Sequence, residues 1–230
     1  MNDQAKASAT LLVQKLASVR APGRLLVGIA GIPASGKSEF ALLVTKHVNT
    51  LLHDRDEKAV LVGLDGWHLT RAELDAMDDP KLAHDKRGAH WTFDGAAYVA
   101  FVRALKKAPS GVITAPSFDH AVKDPTPHAV AIHPHHRIVV IEGLYTFLSA
   151  EPWCQAGELL DERWLIQISL DEAQERLVKR HVISGVAKDD EEAVWRANIN
   201  DVPNGQFLLA NLLNPTKVIQ SVHDPALVKS

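Results

Sequence analysis

Gly31-Ile32-Pro33-Ala34-Ser35-Gly36-Lys37-Ser38 fits G-x-x-x-x-G-K-[ST] at every fixed position. The chemistry of that pattern is anion capture. Glycines let successive backbone N–H groups converge on one concavity, and a helix beginning at Lys37 adds its positive end. Gly31, Ala34, Ser35, Gly36, Lys37 and Ser38 are therefore the expected nucleotide-binding set, with the Lys37 ammonium on the β and γ phosphates and the Ser38 hydroxyl on Mg2+. A cradle of this kind holds a nucleoside triphosphate without saying what becomes of its γ-phosphoryl group. Asp65 and Glu142, each directly after an apolar strand candidate, address that. One carboxylate, Glu142, can serve the metal, and the other, Asp65, can accept the proton of an attacking hydroxyl. Arg176 and Arg180 lie four residues apart, hence on one face of a helix, and can cover the charge of a transferring phosphoryl group.

These residues need a scaffold that brings them to one edge. Residues 24–30 form a short apolar run bounded by Gly and Pro, the pattern of a strand buried on both faces. Residues 37–52 repeat apolar positions at helical spacing, so the cradle sits between strand and helix. Further strands are expected at 59–64, 112–114, 138–141, 164–168 and 217–222. Helices are expected within 1–20, at 94–107, from 171 with a capping-box start through 181, at 188–200, and at 206–213 after a break at Pro203-Asn204-Gly205. Residues 116–134, rich in proline, read as an ordered loop excursion. Alternating strands and helices predict an α/β fold with a mainly parallel sheet, helices on both faces, and ligands at the carboxyl ends of the strands. The whole chain, 1–230, reads as one domain. The connection around Gly185 and the charged segment after it suit a helical lid at about 176–200.

Composition narrows the partners. Lys+Arg 25 against Asp+Glu 28 leaves a net charge of -3, and 46% hydrophobic residues is ordinary for a globular chain of 230 residues, which excludes disorder and coiled coil. There is no general pull toward nucleic acid or anionic membrane, so the expected partner is a small molecule, with a homo-oligomer left open. Cys154 is the single cysteine, which points to a reducing compartment and a cytoplasmic protein. The first twenty residues lack the apolar core of a secretory leader, and the longest apolar run, 25–32, is too short to span a bilayer. The twelve histidines suggest metal, but His133, His135 and His136 have no neighbouring Cys or H-E-x-x-H spacing and read as a solvated loop. Trp67 and Trp91 read as core, and residues 54–57 as a solvated acidic loop.

GIPASGKS, LDGWHLTR, WTFD, APSFDHAVKDP, VIEGLY and RLVKRH together resemble the phosphoribulokinase/uridine kinase family of P-loop kinases over about residues 25–201, and most of all its uridine-kinase-like members of uncertain substrate. The resemblance implies a P-loop three-layer fold with a five-stranded parallel sheet and an arginine-bearing lid. It implies ATP and Mg2+ as cofactors, Asp65 as general base, Glu142 beside the metal, and Arg176 and Arg180 near the nucleotide. Asp94, Phe118 and Asp119 match segments that line an acceptor pocket, and His68 and His120 lie where an acceptor would dock. Uridine kinases usually carry Tyr where Phe118 stands, and here His120 directly follows Asp119. His84, Lys86 and Arg87 are alternative readers of an anionic acceptor. The expected activity is transfer of the γ-phosphoryl of ATP to a hydroxyl of a nucleoside-like or other small metabolite; pantothenate, sugar or glycerate-type acceptors are the alternatives. A nucleotide-dependent ATPase or regulatory switch is the rival from another class, but a GTPase would need N-K-x-D, which the sequence lacks, and Asp85-Lys86-Arg87-Gly88 fits D-x-x-G without following a strand.

Overall fold

The computed structural model describes residues 1–107, 110–119 and 121–222. In chain order the strands are β1 (Leu25–Gly31), β2 (Lys58–Gly63), β3 (Ile113–Phe118), β4 (Pro125–Ile132), β5 (His136–Glu142), β6 (Glu162–Gln167) and β7 (Lys217–Gln220). The α-helices are α1 (Asn2–Leu16), α2 (Lys37–Leu51), α3 (Arg71–Asp75), α4 (Pro80–Asp85), α5 (Gly95–Lys106), α6 (Trp153–Gly157), α7 (Leu170–Ile183), α8 (Asp190–Arg196) and α9 (Val202–Ala210). Five strands pair in the order β2-β5-β1-β6-β7, and every pairing is parallel. β1 is buried along its whole length, as a central parallel strand must be when helices cover both faces. Its side chains alternate between two cores. Leu26 and Ala30 join Trp67, Tyr98, Tyr145 and Trp153 on one side; Leu25, Val27 and Ile29 join Leu12, Phe40, Val44 and Trp164 beneath α1 and α2 on the other. The expected α/β architecture is thus the one found, with the strand carboxyl ends aligned along one edge.

Three elements differ from the sequence reading. Residues 116–134 are not a loop: β3 and β4 pair as a separate antiparallel ribbon. In a two-stranded ribbon both strands are edges, so proline is tolerated where its missing N–H faces outward or at a bulge. Pro116 falls at the register shift between Ala115 and Ser117, and Pro125 opens β4. The ribbon is held to the main domain by the turn at 64–67, where a Cβ on Gly66 would lie 2.4 Å from Pro116 O. Only glycine permits that approach.

The break expected at Pro203-Asn204-Gly205 is also absent. α8 runs through a π-turn (Ala197–Asp201) directly into α9. Pro203 stands in the first turn of α9, where a missing N–H is harmless to the helix it starts. It does deprive Ile199 O of the donor that an α-helix would aim at it, and Lys86 Nζ donates to that oxygen instead, at 2.7 Å. Third, the acidic loop is only partly solvated, because Glu57 Oε1 accepts from the buried Arg137 guanidinium at 3.0 Å. Trp67 is core, whereas Trp91 is 40% exposed. Among the described residues no helix is long and apolar enough to cross a membrane.

Candidate active site

The cradle spans the loop from Gly31, which ends β1, to Lys37, which starts α2. Gly36 caps α2 in the left-handed region, φ 86°, a conformation that glycine adopts without penalty; Ala34 shares it at φ 60°. Ser35 N donates to Ile32 O at 3.1 Å and Phe40 N to Gly36 O at 3.0 Å, closing the loop onto the helix. The Ser35 hydroxyl is buried with no hydrogen-bond partner among the described residues.

At the head of the cradle Ser38 Oγ donates to Glu142 Oε1 at 3.0 Å, and Lys37 Nζ stands 3.9 Å from the same oxygen. Burial pushes the Glu142 carboxyl above its ordinary range; Asp65 adds to the rise, while Lys37 and the Ser38 hydrogen bond oppose it. Sheet register explains the convergence. Glu142 at the end of β5 pairs with Ile29 of β1 and Gly63 of β2, so Asp65, two residues beyond β2, reaches the same edge. A hydroxyl and a buried carboxylate are hard oxygen donors suited to Mg2+, and a buried carboxylate lacking full charge compensation fits a divalent cation at that point.

Beside Asp65 three rings form one aromatic ladder. His68 Nδ1 contacts Asp65 O at 2.8 Å, and the His68 ring lies 3.9 Å from Phe93 and 4.7 Å from Phe118, centroid to centroid. Asp94 is drawn in through its N–H, which donates to Trp67 O at 2.8 Å, while its carboxylate caps α5 by accepting from Ala97 N. Asp119, next to Phe118, is exposed and its Oδ1 accepts from Ala121 N at 2.8 Å. His120 lies outside the described residues.

His84, Lys86 and Arg87, the alternative readers of an anion, each have protein partners in the structure. His84 Nε2 meets Asp75 Oδ1 at 2.8 Å, Lys86 caps Ile199 O, and the Arg87 guanidinium donates to Lys123 O at 2.6 Å and Leu69 O at 2.7 Å. Arg87 also lies 5.3 Å from the Phe118 ring centroid. It ties the β3–β4 ribbon to the segment before α5, because a planar fork of donors can bridge two carbonyls at once.

Of the two arginines, Arg176 donates to Ser221 Oγ at 3.0 Å and Glu172 Oε1 at 2.6 Å, and Ser221 Oγ donates to Ser35 O at 2.7 Å. The helix α7 is thereby tied to the back of the cradle. Arg180 is exposed on the same helix. Sequence reasoning missed Ser221, His181 and Asp201. Ser221 carried a usable signal, since it follows the last strand at the ligand edge; the two others did not, because their pairing depends on how α7 meets the π-turn. His181 Nε2 lies 3.4 Å from Asp201 Oδ2. Burial raises the Asp201 carboxyl pKa, and His181, Arg180 and Lys37 oppose the rise.

The parallel sheet and the lysine-bearing cradle define the class, a P-loop nucleotide-binding fold, and the relatives narrow it to a P-loop kinase. Comparisons with known proteins agree. No protein-family model matches the sequence. A Schizosaccharomyces pombe protein named as a candidate uridine kinase is 36% identical over 199 residues, 86% of this chain and 84% of that protein. The "ATP-dependent kinase-like protein notR'" of Aspergillus versicolor is 45% identical over 153 residues, 65% of this chain and 89% of that protein. Among solved structures, one from Silicibacter sp. TM1040, described as a candidate fructose transport system kinase, superposes with a TM-score of 0.81 at 27% identity, covering 94% of this chain and 98% of that one. The chain belongs to the phosphoribulokinase/uridine kinase family of P-loop kinases, among its uridine-kinase-like members. It is a phosphotransferase of the kinase type.

Proposed function

We propose that this chain transfers the γ-phosphoryl group of ATP, with Mg2+, to a hydroxyl of a small metabolite. The observation that carries the reading is the Ser38–Glu142 contact, 3.0 Å, on a strand whose end is in register with Gly63, so that the metal-type donors and Asp65 share one edge. Ser38 and Glu142 would hold the cation, which when bound neutralises charge on the phosphates. Lys37 and the cradle amides hold the polyphosphate. Asp65 takes the proton of the acceptor hydroxyl as that oxygen attacks, and Arg176 and Arg180 supply positive charge over the transferring group. The ordered α7–α9 segment, packed over the cradle, excludes water from the transfer.

The His68–Phe93–Phe118 ladder beside Asp65 favours an acceptor with a flat ring, which fits the uridine named in the fission-yeast relative; the fructose named for the Silicibacter protein makes a sugar the second reading. The test is ADP formation from ATP and MgCl2 with a panel of nucleosides, pantothenate, sugars and glycerate. At least one acceptor should raise turnover well above the rate without acceptor. An ATP turnover that no acceptor changes would overturn the kinase reading in favour of an ATPase.

A further inference from the structure

The π-turn between α8 and α9 holds two neighbours at once. Gln174 Nε2 of α7 donates to Asn198 Oδ1 at 3.1 Å. The next two residues turn instead to the segment before α5: Lys86 Nζ donates to Ile199 O at 2.7 Å, and Asn200 Nδ2 donates to Arg87 O at 2.8 Å. Asn204 Nδ2 of α9 donates to Asn200 Oδ1 at 3.1 Å, which keeps the Asn200 N–H groups aimed at Arg87 O. Gly88, at φ 109°, lets the chain turn beneath both amides; a Cβ there would lie 3.6 Å from each, in a backbone conformation that other residues adopt only with strain.

The same stretch rests on the cradle. A Cβ at Gly205 would meet Ile32 at 3.3 Å and Pro33 at 3.6 Å, so α9 lies directly on the cradle loop. Two residues further on, the Phe207 ring stacks on His90, centroids 4.3 Å apart and planes 6° from parallel. Arg87 carries the link onward, since its guanidinium donates to Leu69 O and to Lys123 O of the β3–β4 ribbon and lies 5.3 Å from the Phe118 ring centroid. Residues 199–207 therefore span from the cradle loop to the segment that holds the aromatic ladder in place. Hydrogen bonds fix angle as well as distance, so the span works as a ruler between the two sides.

We propose that Asn200 is a positioning residue of phosphoryl transfer: by holding Arg87 through its carbonyl, it sets the ladder at a fixed distance from the cradle loop. The acceptor oxygen then meets the γ-phosphorus in line. In that step the new O–P bond forms, the bond to the bridging oxygen breaks, ADP leaves and the acceptor proton passes to Asp65. Asn200 touches neither reactant and acts only through Arg87. The proposal rests on the reading above of the cradle as the phosphate side and the ladder as the acceptor side.

The test uses the full chain with ATP and MgCl2, once with the panel acceptor that raises the parent's turnover most and once with none. Asn200→Asp keeps the shape and the oxygen that Asn204 needs but offers Arg87 O no donor, and Lys86→Met cuts the adjacent link. In each, kcat for acceptor phosphorylation should fall about ten-fold, as a small misplacement does, while the acceptor KM and the calorimetric Kd for ATP stay within about two-fold. Water needs no alignment, so hydrolysis without acceptor falls less, and the ratio of phosphorylation to hydrolysis should drop at least about three-fold. A merely structural role would lower the active fraction and both rates in proportion, leaving that ratio where it is. Lys86→Met decides the matter if Asn200→Asp does not fold. A smaller drop in the ratio of a folded variant, or a loss carried by KM or Kd, would overturn the proposal. The kinase reading is judged on the parent: if no panel acceptor raises its turnover, that reading falls and the proposal with it, whereas a stimulated parent with parent-like variants removes only the role of Asn200.

Discussion

Ser38 Oγ donates to Glu142 Oε1 at 3.0 Å across the junction of α2 and β5, joining the last residue of the phosphate motif to the last residue of a neighbouring strand. Because burial raises the Glu142 carboxyl pKa, its ionisation works against the ligand-free fold. The folded state binds that proton more tightly than the unfolded chain does, so stability is lost as pH rises above the ordinary glutamate value. Glu142→Gln removes the charge and keeps the shape. The expected outcome is a higher Tm for the ligand-free protein at pH 7 together with loss of Mg2+-dependent turnover by about a hundred-fold or more. A scan of melting temperature beside an assay of ADP formation checks both; a lower Tm would show that the carboxylate is compensated by the protein itself.

Asp65 is half-buried at the start of the aromatic ladder and touches neither the cradle loop nor α2 by any hydrogen bond among the described residues. Asp65→Asn should therefore leave ATP affinity within about two-fold while lowering acceptor phosphorylation by about 10² to 10⁴, the range for loss of a general base. Calorimetry for ATP and a phosphorylation assay for the acceptor separate these, and full activity would remove Asp65 from the base role.

Much of this site was legible because its residues are tied to strand ends. A parallel strand buried on both faces, as β1 and β5 are, announces itself as an apolar run, and the position after it must lie at the ligand edge, which places Lys37 and Glu142 from sequence alone. The shorter apolar run of β2, an edge strand only partly buried, places Asp65. The ribbon at 113–132 was not legible, because its prolines read as loop until its isolation from the main sheet shows both strands to be edges. Arg87 illustrates the second limit: a basic side chain near a binding loop looks like an anion reader, and only the fold reveals the two carbonyls it bridges. Asp201 was hidden for a third reason, since a π-turn shifts the face a helix presents and no residue pattern marked one between Arg196 and Val202.

Lys86 and Pro203 form a testable pair. Pro203 offers no N–H to Ile199 O, and Lys86 Nζ supplies the bond at 2.7 Å. Lys86→Met keeps most of the stem and deletes the donor, so it should cost about 1 to 2 kcal/mol of stability in urea unfolding. Pro203→Ala restores a backbone donor to that turn, and in its background the loss from Lys86→Met should shrink by about half. Strict additivity of the two changes would show that they act on different oxygens.

The histidines at the start of β5 carry a pH response of their own. His133 N donates to His136 Nδ1 at 3.0 Å, which requires an unprotonated nitrogen. Burial, then His135, His133 and Arg24, lower the His136 pKa to about 4. The sign follows: between the unfolded value of about 6.5 and the folded value of about 4, the unfolded chain binds a proton that the folded one does not. Stability therefore falls as pH drops from about 6.5 toward 4, and for a half-exposed ring the loss is discounted to about 1 to 2 kcal/mol. His136→Asn keeps an acceptor for His133 N and cannot titrate. Its unfolding free energy should be close to the parent's at pH 7.5 and exceed it by about that amount near pH 4.5. Parallel acid sensitivity in the two proteins would assign the loss to other groups and show that His136 keeps an ordinary pKa.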